Sequence, residues 1–211
     1  MSLILDLIFP QTCFGCGQIG SYFCPKCLSK IKYNSVKHFS DPQKEGSLSI
    51  FRYQTLIRTS IQELKYKFVT DFSDEIVAIF SQKIISDFPH LLNYWQQNNF
   101  ILTSIPLFKT RQNWRGFNQS VLLSQKIAQN LNLNFSDQIL YRHRHTFTQA
   151  KIKSHQDRQK NIKNAFIATL PIPQNIILFD DVASSFSTLN SAFNSLKSVG
   201  LNRCWYLTLA G

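Results

Sequence analysis

The stretch ILFDDVASSFSTLN, residues Ile177 to Asn190, decides the fold. The apolar run NIILFD, which begins at Asn175, ends on two adjacent carboxylates, Asp180 and Asp181. Small hydroxyl residues follow, Ser184, Ser185, Ser187 and Thr188, and then the helical pattern STLNSAFNSLKSVG, closed by Gly200. A short apolar run bounded by turn signals reads as a strand buried on both faces, and a strand handing over to a helix is the repeating unit of a parallel α/β sheet. In such sheets ligands sit beyond the carboxyl ends of the strands. The loop from Ala183 to Thr188 leads into a helix N-terminus, where free backbone N–H groups and the helix dipole favour an anion, and the hydroxyls add donors. Neighbouring carboxylates suit sugar hydroxyls or a hydrated magnesium ion; the simpler alternative is an N-capping Asp beside a solvated one. One residue breaks the pattern. A loop that wraps an anion with bare backbone wants glycine at its tightest point, and Phe186 stands there.

Outward from this stretch the same alternation continues. RCWYLTLA reads as a last strand in which Cys204 is buried, and FILTSIP, Phe100 to Pro106, as a short strand ended by proline. LSIFRYQTLIRTSIQELKYKF reads as a strand near Ile50 to Tyr53 and then a helix, because Leu56, Ile57, Ile61 and Leu64 recur at helical spacing. Further helices are expected from Phe72 to Ile85, from Asn118 to Leu131 and over the polar segment SHQDRQKNIKNAF, with a strand at QILYRHR. Strands alternating with helices predict an α/β domain whose largely parallel sheet is flanked by helices.

Two other loops follow strand ends. In SIPLFKTRQNWRGFNQS, Lys109, Arg111 and Arg115 suit phosphate or pyrophosphate oxygens, and a plain basic surface loop explains them nearly as well. In YRHRHTFTQ, His143 and His145 alternate with Arg142 and Arg144, which puts both histidines on one face of a strand without a third metal partner.

Four of the five cysteines, Cys13, Cys16, Cys24 and Cys27, form CFGC and CPKC separated by seven residues. Each knuckle lets two thiolates approach one ion from a tight turn, and four sulfurs about 2.3 Å from zinc complete a closed tetrahedron with no open position for catalysis. Gly15, Gly17 and Pro25 supply the turn chemistry. A disulfide pair is disfavoured without an export signal, and a redox motif is disfavoured by the presence of two knuckles. Structural zinc is therefore expected.

No apolar run approaches the roughly 18 residues of a membrane span, and the opening MSLILDLIFPQ lacks a basic segment and carries Asp6. It reads as a short amphipathic helix on a cytoplasmic protein. Lys and Arg number 23 against 12 acidic residues, a formal charge of +11 that raises encounter rates with polyanions such as nucleic acid or phosphorylated metabolites. The organisation expected is an N-terminal segment with a four-cysteine zinc ribbon over residues 1–36 and an α/β domain over 48–211.

Together these pieces resemble the ComF/ComFC family of competence-associated proteins. The resemblance rests on the cysteine quartet and on FRYQTLIRTSIQELKYK, IPLFKTRQNWRGFNQS, LYRHRHTFTQAKIKSHQDRQKNIKNAF and ILFDDVASSFSTLNSAFNSLKSVG, in that order across nearly the whole chain. It implies a zinc ribbon joined to a type I phosphoribosyltransferase-like domain. Asp180 and Asp181 would then face the ribose hydroxyls of 5-phosphoribosyl-1-pyrophosphate, the loop Ala183, Ser184, Ser185, Phe186, Ser187 and Thr188 would cradle its 5-phosphate, and Lys109, Arg111 and Arg115 would stand on the pyrophosphate side. Magnesium would accompany that ligand. The biological role implied is uptake of DNA in natural transformation, with single-stranded DNA and competence or DNA-processing proteins as partners. The alternative is an active phosphoribosyltransferase with an unidentified small-molecule acceptor; no residue names the acceptor or a catalytic group. The family pattern has Thr-Gly where this chain has Ser185 and Phe186. If that position has a positive φ, phenylalanine there is expected to cost roughly 1–3 kcal/mol and to weaken ligand binding, with its ring competing for the anion's place.

Overall fold

The computed structural model describes residues 10–67, 71–108, 116, 118–143, 165–183 and 185–211. Expectations for the opening helix, for the helix over Ser154–Asn164, and for Lys109, Arg111, Arg115, Arg144, His145 and Ser184 fall outside these residues.

The central strand is β7, Asn175–Val182, the one opened by the apolar run. It lies between β3, Ile101–Ser104, and β8, Arg203–Ala210, parallel to both. Its alternation divides the core. Ile177 and Phe179 join Trp205, Leu207 and Leu209 of β8 in one buried cluster, and Ile176 and Leu178 join Cys204 and Tyr206 in a second. With both faces covered, the apolar run is continuous instead of alternating.

Outside β8 come β2, Lys44–Phe51, in parallel, and β1, Val36–His38, antiparallel to β2; outside β3 comes β4, Asn134–Phe135. The sheet thus has six strands in the order β1-β2-β8-β7-β3-β4 and is parallel apart from its β1 edge. The expected strand near Ile50 to Tyr53 begins earlier, at Lys44, and ends at Phe51. Two contacts hold it there. A Cβ on Gly46 would lie 2.6 Å from the Trp205 ring, so only glycine lets β2 approach so closely, and Glu45 accepts a 2.6 Å hydrogen bond from Trp205 Nε1.

One face of the sheet carries α2, Thr55–Gln62, continued by a π-helical turn at Glu63–Lys67, then α3, Ser73–Asp87, α4, Pro89–Gln97, and α5, Gln119–Asn130, where a four-residue turn of helix in the cysteine module, Pro25–Leu28, counts as α1. The other face carries α6, Ser187–Lys197. The segment QILYRHR does contain a strand, β5, Leu140–Arg142, but it pairs antiparallel with β6, Phe166–Ala168, in a separate ribbon. Phe166, read as the end of a polar helix, therefore opens a strand; its ring is buried in the second cluster, a tertiary demand the local pattern does not carry. No helix among the described residues is long and apolar enough to cross a membrane.

Candidate metal centre and anion-binding site

The cysteine module folds as two turns facing each other. Gly17 N–H donates to Cys13 O at 2.8 Å, and Cys27 N–H donates to Cys24 O at 2.9 Å, so each knuckle closes on its own backbone. The four Sγ atoms lie within 4.8 Å of one another, with Cys16 and Cys24 at 3.6 Å and no disulfide formed. Tetrahedral zinc–thiolate bonds of about 2.3 Å put sulfurs roughly 3.8 Å apart, so the cluster fits that ion. The electrostatics agree. Burial opposes ionisation of Cys13, yet the amides of Cys24, Gly15 and Cys16 together bring its thiol down to about 6. Burial and then the surrounding sulfurs push Cys27 up to about 12. Four thiolates so close need a cation, and zinc is one that takes four of them.

The module is packed onto the body. Phe14 and Phe23 meet the Phe72 ring at 4.9 and 5.9 Å, and Phe23 N–H donates to Glu75 Oε1 at 3.1 Å. Gly15 is the closest seam: a Cβ there would sit 2.8 Å from Cys27 Sγ and 3.3 Å from Leu56 Cδ1 of α2.

At the carboxyl end of β7 the two carboxylates have different surroundings. Neighbouring strand residues point to opposite faces. Asp181 turns toward α2 and α5, where it is 3% exposed and the Lys65 ammonium lies 2.8 Å from each of its oxygens. Gln119 Nε2 approaches Asp181 Oδ2 at 3.4 Å, while Gln119 Oε1 is buried without a partner among the described residues. Asp180 stays half-buried on the loop side. Its Oδ1 accepts from Asp181 N–H at 2.9 Å and from Ser120 Oγ at 3.3 Å. Burial first, and then the Asp181 carboxylate, push Asp180 up to about 7 against the pull of Lys65. Asn118 fixes this end of α5 by accepting from Ser120 N–H at 3.0 Å.

The loop beyond β7 has the conformation the glycine pattern implies. Phe186 adopts φ 52°, ψ 4°, the left-handed region, at the N-cap of α6. Its ring packs against Phe39 and Tyr206, with centroids 6.2 and 6.0 Å away, as part of the second core cluster. The ring is anchored to the core and not set in the middle of the loop as an anion would be. Asp180, Ala183, Ser185, Phe186, Ser187 and Thr188 line a hollow of about 10 Å³, and Ser185 and Ser187 share a 2.8 Å hydrogen bond. Such a cup seats one water-sized group, as one phosphate oxygen would be.

The structure therefore brings Asp180, Asp181 and the described loop residues together, and it adds Lys65, Gln119 and Ser120. The sequence singled out none of these three, although QELKYK and FNQS contain them. A lysine on an amphipathic helix gives no sign that a π-helical turn carries it onto a buried aspartate.

The chain is 31% identical over 217 residues to competence protein F of Haemophilus influenzae, covering 94% of this chain and 90% of that protein. The chain belongs to the competence protein F family. Other relatives of this family member are the DNA utilization protein YhgH of Salmonella typhimurium, 27% identical over 79% of this chain and 67% of that protein, and YhgH of Escherichia coli K12, 36% identical over 42% and 39%. No protein-family model matches the chain. Among solved structures, a hypoxanthine phosphoribosyltransferase from Staphylococcus aureus overlaps 64% of this chain and 62% of its own at TM-score 0.40 and 12% identity. An adenine phosphoribosyltransferase from Leishmania tarentolae overlaps 82% and 94% at TM-score 0.38 and 12% identity.

Proposed function

We propose that this competence protein F family member serves DNA uptake and natural transformation, and that its α/β body binds 5-phosphoribosyl-1-pyrophosphate. The observation that carries the ligand is Asp180 at the end of β7 beside the Ser185–Thr188 loop, with Phe186 in the left-handed conformation and its ring anchored on Phe39 and Tyr206.

In this reading the loop amides and the Ser185, Ser187 and Thr188 hydroxyls hold the 5-phosphate at the start of α6. Asp180 accepts from the ribose hydroxyls once ionised. Asp181 holds the Lys65 ammonium in place, and that ammonium is proposed to donate to a pyrophosphate oxygen from within a locally neutral pair. Lys109, Arg111 and Arg115 are proposed for the same side. Magnesium fits a site with one available carboxylate, because it is commonly bound through one or two carboxylates and substrate phosphates; it would neutralise adjacent phosphates. Zinc on Cys13, Cys16, Cys24 and Cys27 is structural. The basic surface, +11 overall, is proposed to meet single-stranded DNA. A transfer reaction would displace pyrophosphate from the anomeric carbon by a nitrogen nucleophile, with the cations stabilising the leaving group.

Titration calorimetry of 5-phosphoribosyl-1-pyrophosphate with magnesium into the zinc-loaded protein tests the ligand. Binding near micromolar, reduced at least about tenfold (1.4 kcal/mol) in Asp180→Asn, is expected; no heat in the unmodified protein refutes the site. Expression in a transformable bacterium lacking its own competence protein F tests the role, and failure to restore transformation counts against it.

A further inference from the structure

Some described cations are paired, and others, among them Lys37, Lys44 and Arg58, have no carboxylate partner among the described residues. Lys65, Lys83, Lys126, Lys197 and Arg203 are paired with carboxylates. Lys26, Lys30, Lys32 and Arg52 have no carboxylate partner among the described residues, and all four line one cleft of about 290 Å³ where the cysteine module meets the body. Their convergence is built by the backbone: Arg52 N–H donates to Lys32 O at 2.9 Å, and Tyr33 bridges Phe51 next to it. The remaining wall is formed by Gly15, Cys16 and Cys27 of the knuckles and by the first turn of α2, which has no acidic residue and whose N-cap Gln54 supplies no side-chain bond. No carboxylate among the described residues lines the cleft, so its four cations and its helix end favour an anion away from the thiolates of Cys16 and Cys27.

We propose that this cleft holds the backbone of a single-stranded nucleic acid. The strand is favoured over a duplex by what surrounds the phosphate-binding cations. Ile31, Leu56 and Ile57 give the cleft an apolar floor. Tyr33 and Tyr53, each 37% exposed, directly follow Lys32 and Arg52 in the chain. Lys83 Nζ covers one face of Tyr33 at 4.1 Å, so Tyr53, next in the chain to the lining residue Arg52, is the ring proposed to stack on a base. A positive groove beside exposed aromatic rings is how single strands are held without sequence preference, since every base has a stacking face; a duplex offers its outer phosphates but no base faces. This inference rests on the proposed DNA partner and gives it a place remote from the β7 loop.

Zinc on four thiolates leaves a net double negative charge beside Lys26, so the test keeps Lys26. Fluorescence anisotropy with a labelled oligothymidylate, across a salt series, compares the zinc-loaded full chain with Lys30→Gln/Lys32→Gln/Arg52→Gln and with Tyr53→Ala. Each neutralised phosphate contributes about 0.7 to the slope of log affinity against log salt, so the triple variant should lose about 2 from that slope and bind roughly tenfold or more weakly at low salt. Tyr53→Ala should weaken binding severalfold with the slope unchanged. A triple variant with wild-type affinity and slope overturns the cleft while leaving the DNA partner standing. A wild-type protein that binds no oligothymidylate overturns both. Equal affinity for duplex DNA overturns the single-strand assignment. The 5-phosphoribosyl-1-pyrophosphate calorimetry, repeated on the triple variant, should be unchanged, which separates these outcomes from failure of the β7 site.

Discussion

Replacing Phe186 by glycine and by alanine separates the two physical effects that meet at this residue. The ring is half-buried, with centroid contacts to Phe39 and Tyr206 at 6.2 and 6.0 Å. Its loss should cost roughly 1–2 kcal/mol of apolar transfer plus about 0.5–1.5 kcal/mol from aromatic contacts. The backbone adds an opposite effect, because φ 52° costs an L-residue roughly 1–2 kcal/mol that glycine avoids. Glycine also loses about 0.5–1 kcal/mol to the greater freedom of its unfolded chain. Both variants should thus be less stable than the natural protein, by about 2 kcal/mol. Glycine should nevertheless exceed alanine by about 0.5–1 kcal/mol, the reverse of their usual order. For a chain of this size that difference is about 1–4 °C in Tm. Thermal and urea unfolding of the zinc-loaded variants reads it directly. Since the ring is anchored on the core, Phe186→Gly should also bind 5-phosphoribosyl-1-pyrophosphate within about threefold of the natural protein, under 1 kcal/mol. Alanine equal to or more stable than glycine would refute the left-handed strain, and binding gained only in the glycine variant would refute the placement of the ring.

Lys65→Met should destabilise the protein by about 2–3 kcal/mol in urea unfolding, somewhat below the range for a fully buried pair because Lys65 is 20% exposed, since it leaves the Asp181 carboxylate buried and unpaired. Asp181→Asn should cost less, because that lysine can turn to water. Gly15→Ala should weaken zinc retention against a chelator by tenfold or more, because the new Cβ would lie 2.8 Å from Cys27 Sγ. Asp180 titrates near 7, above the usual carboxylate range near about 4. Its raised value means that the stability it confers is present below the unfolded pKa and is lost as pH rises to about 7, so Asp180→Asn should stabilise the unliganded protein increasingly from pH 4 to 7 and evenly above. Ligand binding near pH 7 should release a proton in the natural protein, and calorimetry in buffers of different ionisation enthalpy should show that release diminished in Asp180→Asn.

What the sequence makes legible is chemistry carried by short spacing. Cys13, Cys16, Cys24 and Cys27 declare their convergence because a knuckle is local, and β7 declares itself because an apolar run buried on both faces needs no partner to be recognised. The start of β2 is hidden for the opposite reason: Lys44, Glu45 and Gly46 look like loop until Trp205, far along the chain, supplies both the indole over the glycine and the donor to the glutamate. Phe186 lies between these cases. Its neighbours announce a left-handed position, but only the packing of Phe39 and Tyr206 shows what anchors its ring.

Lys65 is the furthest from view, and its position gives the cysteine module a structural link to the β7 site. Gly15 presses the module against Leu56 at the start of α2, Phe14 and Phe23 lock it on Phe72, and α2 runs through its π-helical turn to the ammonium on Asp181. The same helix therefore begins at the cysteine knuckles and continues into the turn that reaches Asp181. A module that merely folded the N-terminus would have no need to seat the first turn of that helix. Its packing on α2 gives an ion held by the four cysteines a physical part in where Lys65 stands beside Asp181, and so in the proposed ligand site at the end of β7.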